Sequence, residues 1–237
     1  MKPSLSTLVP VALMAALAAC SPPAQKTGPT ASASASALAA PSVAGLPAGV
    51  YHSDPTHTSL TFEVSHMGFS HYTARFASID AQMQFDPAHP DQAQLTAMID
   101  PQSLQLNAPP KGFHDTLMGK GWFEAGQFPD IRFISTNIAM TGPDTADVTG
   151  NLSLHGVTKP VVLHVRFNGG YPGMAVYDPH ARLGFSATGQ LKRSDFGISF
   201  GIPQPGSSLG VGDTVDFQIE SEFTGPALAS AQDTASS

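Results

Sequence analysis

The chain has 237 residues, 41% of them hydrophobic and only 12% charged, with 22 Gly and 21 Pro. There is enough apolar material for a core, and the composition suits short strands joined by turns better than long, ion-paired surface helices. A formal charge of −7, with 11 Lys plus Arg and no basic block, argues against nucleic acid as a partner, and the single cysteine excludes a disulfide framework or a Cys-rich metal site.

In chain order, Lys2 and an apolar stretch over residues 8–19 form an export signal occupying 1–19, too short to span a bilayer comfortably. Leu17-Ala18-Ala19-Cys20 resembles the lipobox of bacterial lipoproteins, in which the peptide before the cysteine is cut and the new N-terminus is acylated. The alternative is an ordinary signal peptide cut near Ala19 with an incidental cysteine. Residues 20–49 are almost wholly Ser, Pro, Ala, Gly and Thr, which cannot bury enough apolar surface to offset ordering entropy, so a flexible tether is expected. Ser21 after the cysteine resembles the pattern of lipoproteins passed to the outer membrane, giving an expected location on a bacterial envelope membrane, facing the periplasm.

From 50 to 225 the dominant period is two, and eight strands are expected. Phe62, Val64 and His66 share one face of the first, near 60–66. The second runs over 75–85 with Ala77, Ile79, Ala81, Met83 and Phe85 on one face, and Leu95, Ala97 and Ile99 mark the third. The long connection 102–129 carries a short helical segment around Phe113, Leu117 and Met118 and an aromatic cluster of Trp122, Phe123 and Phe128, which either plugs one end or faces a ligand. The fourth strand, 131–140, is apolar on both faces, so a cover over its outside is expected. The fifth holds Val148, Gly150, Leu152 and Leu154 and the sixth Val161, Leu163, Val165 and Phe167, joined through HGVTKP as a hairpin. Leu183, Phe185, Ala187, Gly189 and Leu191 give the seventh, and Val215, Phe217, Ile219 and Phe223 the eighth. Residues 226–237 are expected to be a disordered tail. The fold class is therefore all-β, an eight-stranded antiparallel barrel with a short helix between strands 3 and 4; a two-sheet sandwich is the lesser reading.

Such a barrel is just wide enough to be filled by its own side chains or to hold one small ligand. Ala77, Ala81, Ala97, Gly150, Ala187 and Gly189 fall among inward Phe62, Ile79, Met83, Phe133, Leu163, Phe185 and Phe217, which leans toward a hollow interior suited to an extended lipid tail. His66, Trp122 and Phe123 are candidates for contact with a ligand near its mouth, although for His66 a core histidine bonded to a neighbour is the blander reading. Arg193 and Asp195 are read as fixing the turn before the eighth strand rather than meeting a diphosphate, and His155 and Lys159 as solvated. Nine histidines invite a metal site, but none has HExxH spacing or companions, and no metal or cofactor is expected. With no GxSxG, P-loop or dinucleotide fingerprint, catalysis is not expected either.

Several stretches carry a family resemblance: Tyr51…Asp54-Pro55…His57-Thr58-Ser59-Leu60-Thr61-Phe62, Val64-Ser65-His66-Met67, GKGWFEAGQFPDIRF at 119–133, GNLSLHGVTKPV at 150–161, KRSDFGI at 192–198 and VGDTVDF at 211–217. In this order they resemble the YceI-like family of periplasmic lipid- or polyisoprenoid-binding proteins. The resemblance implies a lipocalin-like barrel whose hydrophobic pore holds an isoprenoid or similar long-chain amphiphile. The chain departs from the family's usual Arg-Asp and His-Leu with His114-Asp115 and Thr116-Leu117, so headgroup preference is open. The expected function is a membrane-tethered carrier or scavenger. Its rivals are an enzyme or redox helper presenting a quinone-like ligand, and a structural envelope lipoprotein with a filled barrel. Whether the domain forms a homodimer is left open.

Overall fold

The computed structural model describes residues 42–228; Cys20, the export signal, most of the tether and residues 229–237 lie outside the described residues. Alternation over the domain produces eleven strands and one short helix: β1 Gly49–Ser53, β2 Ser59–His66, β3 Ser70–Phe76, β4 Ile79–Phe85, β5 Gln94–Ile99, β6 Leu104–Gln105, α1 Phe113–Met118, β7 Ile131–Met140, β8 Thr145–Leu154, β9 Val157–Tyr171, β10 His180–Lys192 and β11 Val211–Ala227. β1 and β2 lie end to end along β11, β4 and β3 follow along them, and β5 and β6 follow along those. Three of the barrel strands are thus interrupted, and the eleven pieces make eight. Each pairs antiparallel with its sequence neighbour, and β11 closes on β1 and β2 to complete the ring, with only the two-residue β6 paired on one side among the described strands.

The interruptions have local causes. Between β1 and β2 the Asp54 N–H donates to Glu222 O (2.7 Å), and its carboxylate accepts from the Thr56 N–H (2.9 Å) and hydroxyl (2.6 Å). His57 Nδ1 lies 3.1 Å and Arg182 Nη1 3.4 Å from the other carboxylate oxygen. The Thr56 hydroxyl, then His57, hold the Asp54 carboxyl well below the ordinary carboxylate range, while the hydrogen bond to Asp54, then the charge of Glu222, raises the His57 pKa. This turn hides β1 from a reading that starts the first strand at 60.

Between β3 and β4 the alternation slips. Ala74 and Phe76 point in, Ile79 points in, and Ala77 sits exposed in the join with its N–H on Ser103 O (3.1 Å), so the expected inward placement of Ala77 is corrected. The expected second strand at 75–85 merged β4 with the end of β3. A bulge between Ser135 and Asn137 likewise corrects the expected cover over the fourth strand. It switches parity so that Ile138 and Met140 turn toward the interior, leaving only Ile134 outside and exposed.

The turns at 66–70, 155–156 and 193–210 gather at one end with α1; those at 86–93, 141–144 and 172–179 form the other. The β8–β9 turn needs φ > 0 at both His155 (51°) and Gly156 (74°), and the Phe128 ring covers it so closely that a Cβ at Gly156 would collide. At the far end Leu46 is buried with Tyr51, Phe85, Leu183 and Phe223, and the Tyr51 hydroxyl donates to Pro47 O (2.7 Å). At the C-terminal side Leu228 N–H bonds Pro179 O (2.8 Å). Leu46 is thus held at this end by apolar packing and Leu228 by a backbone hydrogen bond.

Candidate functional site: the barrel cavity

The inward faces do not fill the barrel. A cavity of about 750 Å³ runs along it, within the range of ligand sites. Its walls come from the period-two faces of successive strands: Leu60, Phe62 and Val64 of β2, Ile79, Ala81 and Met83 of β4, Leu95 and Ala97 of β5, Phe133 of β7, Val148 of β8, Leu163 and Val165 of β9, Phe185 and Ala187 of β10, and Phe217 and Ile219 of β11. Exposed residues border it at both ends: His66, Asn107, Pro109 and Phe113 at the α1 end, Met140 and Pro143 at the other.

The small inward residues divide into two kinds. A Cβ at Gly150 would overlap the Phe133 ring, and one at Gly189 the Phe217 ring, so these glycines make room for aromatic rings across the sheet rather than for a ligand. Ala81, Ala97 and Ala187 instead border the hollow. Polar groups are few on the wall, and the Ser221 and Thr58 hydroxyls spend one of their two O–H donors on each other (3.0 Å). Such a site selects by length and apolar surface rather than by hydrogen bonds.

All ten residues singled out from sequence border this cavity: Phe62, His66, Ile79, Met83, Trp122, Phe123, Phe133, Leu163, Phe185 and Phe217. His66 differs from the expectation of an inward core ring, since it lies exposed at the end of β2 where water solvates it. Trp122 is packed between the Phe200 ring (5.6 Å) and the Arg193 guanidinium (5.2 Å), and Phe123 stands edge-on to Phe76 (5.8 Å). Both therefore close the α1 end while also touching the hollow. Sequence reading missed Tyr72, Ala74 and Phe76, whose signal was present in the alternation of SHYTARF, and Ile138 and Met140, which only the bulge reveals.

Arg193 is 5% exposed and spends its donors on backbone: Nε on Gly212 O (2.8 Å), Nη1 on Ile198 O (3.1 Å) and Phe200 O (2.9 Å), Nη2 on Val211 O (2.7 Å). Burial lowers its pKa, with Asp213 opposing the shift. Arg193 thus fixes the turn before β11, as expected. Asp195 does not help to hold that turn but pairs with Lys159 (3.3 Å), while Asp213 holds the Ser194 N–H (2.9 Å) and hydroxyl (2.8 Å). The expectation of a solvated His155 is corrected. Its Nδ1 meets Phe196 O (3.1 Å), Phe128 packs on its ring (5.0 Å), and Nε2 lies buried 3.5 Å from the Glu124 carboxylate. The φ > 0 turn aims the ring down onto the protein instead of out to water.

A closed antiparallel barrel with a long apolar hollow defines a class of hollow eight-stranded barrels. Within that class this chain belongs to the YceI-like domain family, which matches residues 51–223. A UPF0312 protein of Pseudomonas savastanoi pv. phaseolicola is 36% identical over 142 residues, covering 60% of this chain and 71% of that one. The crystal structure of Burkholderia cenocepacia BcnA is similar with a TM-score of 0.59 and 26% identity, covering 72% of this chain and 98% of BcnA. A polyisoprenoid binding domain from Saccharophagus degradans shares the fold at a TM-score of 0.55 and 14% identity, over 76% of this chain and all of that domain.

Proposed function

We propose that the chain binds a polyisoprenoid or similar long-chain amphiphile in the barrel cavity, as a membrane-tethered carrier or scavenger of the bacterial envelope rather than as an enzyme. The observation that carries this reading is the hollow of about 750 Å³ walled by apolar side chains over the length of the barrel. The polyisoprenoid-binding domain of the same fold supports it. Each five-carbon isoprene unit buried there contributes a gross ~4 kcal/mol, less ordering and association costs, so a tail of several units binds without a headgroup contact. Phe62, Ile79, Met83, Phe133, Leu163, Phe185 and Phe217 contact the tail; His66, Trp122 and Phe123 meet the part of the ligand at the α1 end. Acyl chains on Cys20 hold the domain at the periplasmic face of the membrane, most simply the outer one.

Organic extraction of the purified protein followed by mass spectrometry tests the reading. A stoichiometric long-chain lipid is expected. Protein that neither copurifies with lipid nor takes up an added polyprenol, while its cavity remains open, would refute it.

A further inference from the structure

Residues 42–48 belong by composition to the tether, yet they pack across the far end of the barrel, opposite α1. The Leu46 N–H donates to Val43 O (3.2 Å), turning the chain, and the Tyr51 hydroxyl donates to Pro47 O (2.7 Å), holding it from within. Leu46 is 5% exposed and lies against β9, where a Cβ at Gly170 would stand 2.7 Å from its Cδ1. Gly49, three residues later, is already paired with Phe85 of β4. β1 and β9 are three strands apart around the ring of eight, through β11 and β10, so this segment runs as a chord over the barrel end rather than along its edge. It also precedes residue 51, where the family match begins.

At this end Leu46, Tyr51, Ala181 and Leu183 form a buried layer. None of the four borders the hollow, which stops short of them. Val43 does border it, packed against the same cluster, and is the only described residue ahead of Thr58 to do so. An apolar chain lying along the barrel therefore meets this segment at one end. We infer that residues 42–48 are a strap that ends the cavity, with Leu46 as its fastening and Val43 as the stop that sets how long an apolar chain the barrel accepts. The inference rests on the hollow being a lipid site and adds chain length to what that site selects.

The volume gives the scale. A benzene ring, six carbons, fits a cavity on the order of 150 Å³, so a hollow of about 750 Å³ takes about 30 carbons, or about six isoprene units. Each carbon that enters the hollow raises affinity about fourfold, whereas a carbon beyond the stop is left in water and adds nothing. Affinity therefore climbs along a series of chains and levels off where the chain end reaches Val43.

Full-length chain carrying Cys20→Ser, so that no acyl group of its own competes, is delipidated and offered two mixtures: polyprenols of graded length, and straight-chain alcohols of graded length. Native mass spectrometry reads which members of each are bound. Val43→Ala withdraws two carbons from the stop, so the alcohol two carbons past the parent's limit should bind about 15-fold tighter to this variant. Its side chain is only half-buried, which leaves the fold intact. Val43→Ala with Leu46→Ala withdraws five carbons and should move the limit in the polyprenol series up by about one isoprene unit. Val176→Ala, in the exposed turn 172–179 of the same end and not bordering the hollow, should leave both limits in place. A parent without an upper limit, limits that the Val43 variants leave unmoved, or an equal shift from Val176→Ala overturns the inference. Unmoved limits with polyprenols still bound leave the proposed function standing. Alcohols bound with a limit that follows Val43, but no polyprenol bound, remove the isoprenoid reading and keep the strap; a chain that takes up neither series refutes both.

Discussion

Two kinds of small inward residue should respond oppositely to enlargement. Ala81 and Ala187 border the cavity, whereas Gly150 and Gly189 lie under the rings of Phe133 and Phe217. A benzene ring fits a cavity on the order of 150 Å³, so Ala81→Phe with Ala187→Phe places about 300 Å³ of ring space into a hollow of about 750 Å³. The delipidated double variant should melt within about 2 °C of the parent, since nothing is displaced but space. A close-packed interior would instead be strained by ~1–3 kcal/mol per ring, and at about 2–4 °C per kcal/mol for a domain of this size the melting temperature would fall by about 4–24 °C. Gly150→Ala or Gly189→Ala adds a single methyl, yet each should cost ~1–3 kcal/mol, or about 2–12 °C, because the added carbon meets an aromatic ring and a carbonyl oxygen. Calorimetry on delipidated protein, paired with mass spectrometry of the lipid retained after expression, reads both effects. The alanine variants should keep the fold and lose the lipid; the glycine variants should lose stability. A large fall in melting temperature for the alanine variants together with tolerance of the glycine ones would show that the hollow is misplaced, and the lipid-binding reading would fall with it.

Replacing Arg193 with Ala leaves the carbonyls of Ile198, Phe200, Val211 and Gly212 without their donor. Unsatisfied buried acceptors cost ~1–3 kcal/mol each, part of it recovered by water at the barrel end, so urea denaturation should show a loss of at least about 3 kcal/mol; a loss under 1 kcal/mol would contradict the role given to this guanidinium. At the β1–β2 join the pH dependence has a definite sign. The depressed Asp54 pKa stabilises the fold above the ordinary value of about 3.9, and this is lost as pH falls through the lower folded value. The raised His57 pKa stabilises it below about 6.5, and this is lost as pH rises through the higher folded value. Asp54→Asn should therefore flatten both limbs of a stability-versus-pH curve, and superimposable curves for parent and variant would count against the network. Finally, Cys20→Ser should move the protein from membrane to soluble fractions without changing its circular dichroism; undiminished firm attachment of the variant to membranes would rule out an acyl anchor.

The sequence by itself determined the all-β class, the eight-strand count, the short helix in the long connection and which faces turn inward along most strands. These follow from period-two alternation, a local property that a strand cannot change without exposing its apolar set. The same alternation placed Phe62, Met83, Leu163 and Phe217 on the cavity wall. Where the register slips by one residue, at Ala77 and after Ser135, alternation misled, because the slip is fixed by pairing with a neighbouring strand far along the chain. Only the closed barrel showed that the glycines of β8 and β10 are occupied by Phe133 and Phe217, since those rings come from adjacent strands and nothing local records the encounter. Tertiary packing also decided the fate of polar side chains that looked alike in sequence. His66 ends exposed because β2 stops there, His155 is pressed beneath Phe128 by a left-handed turn, and Arg193 is drawn inward to meet four carbonyls of the turn before β11 and the start of that strand.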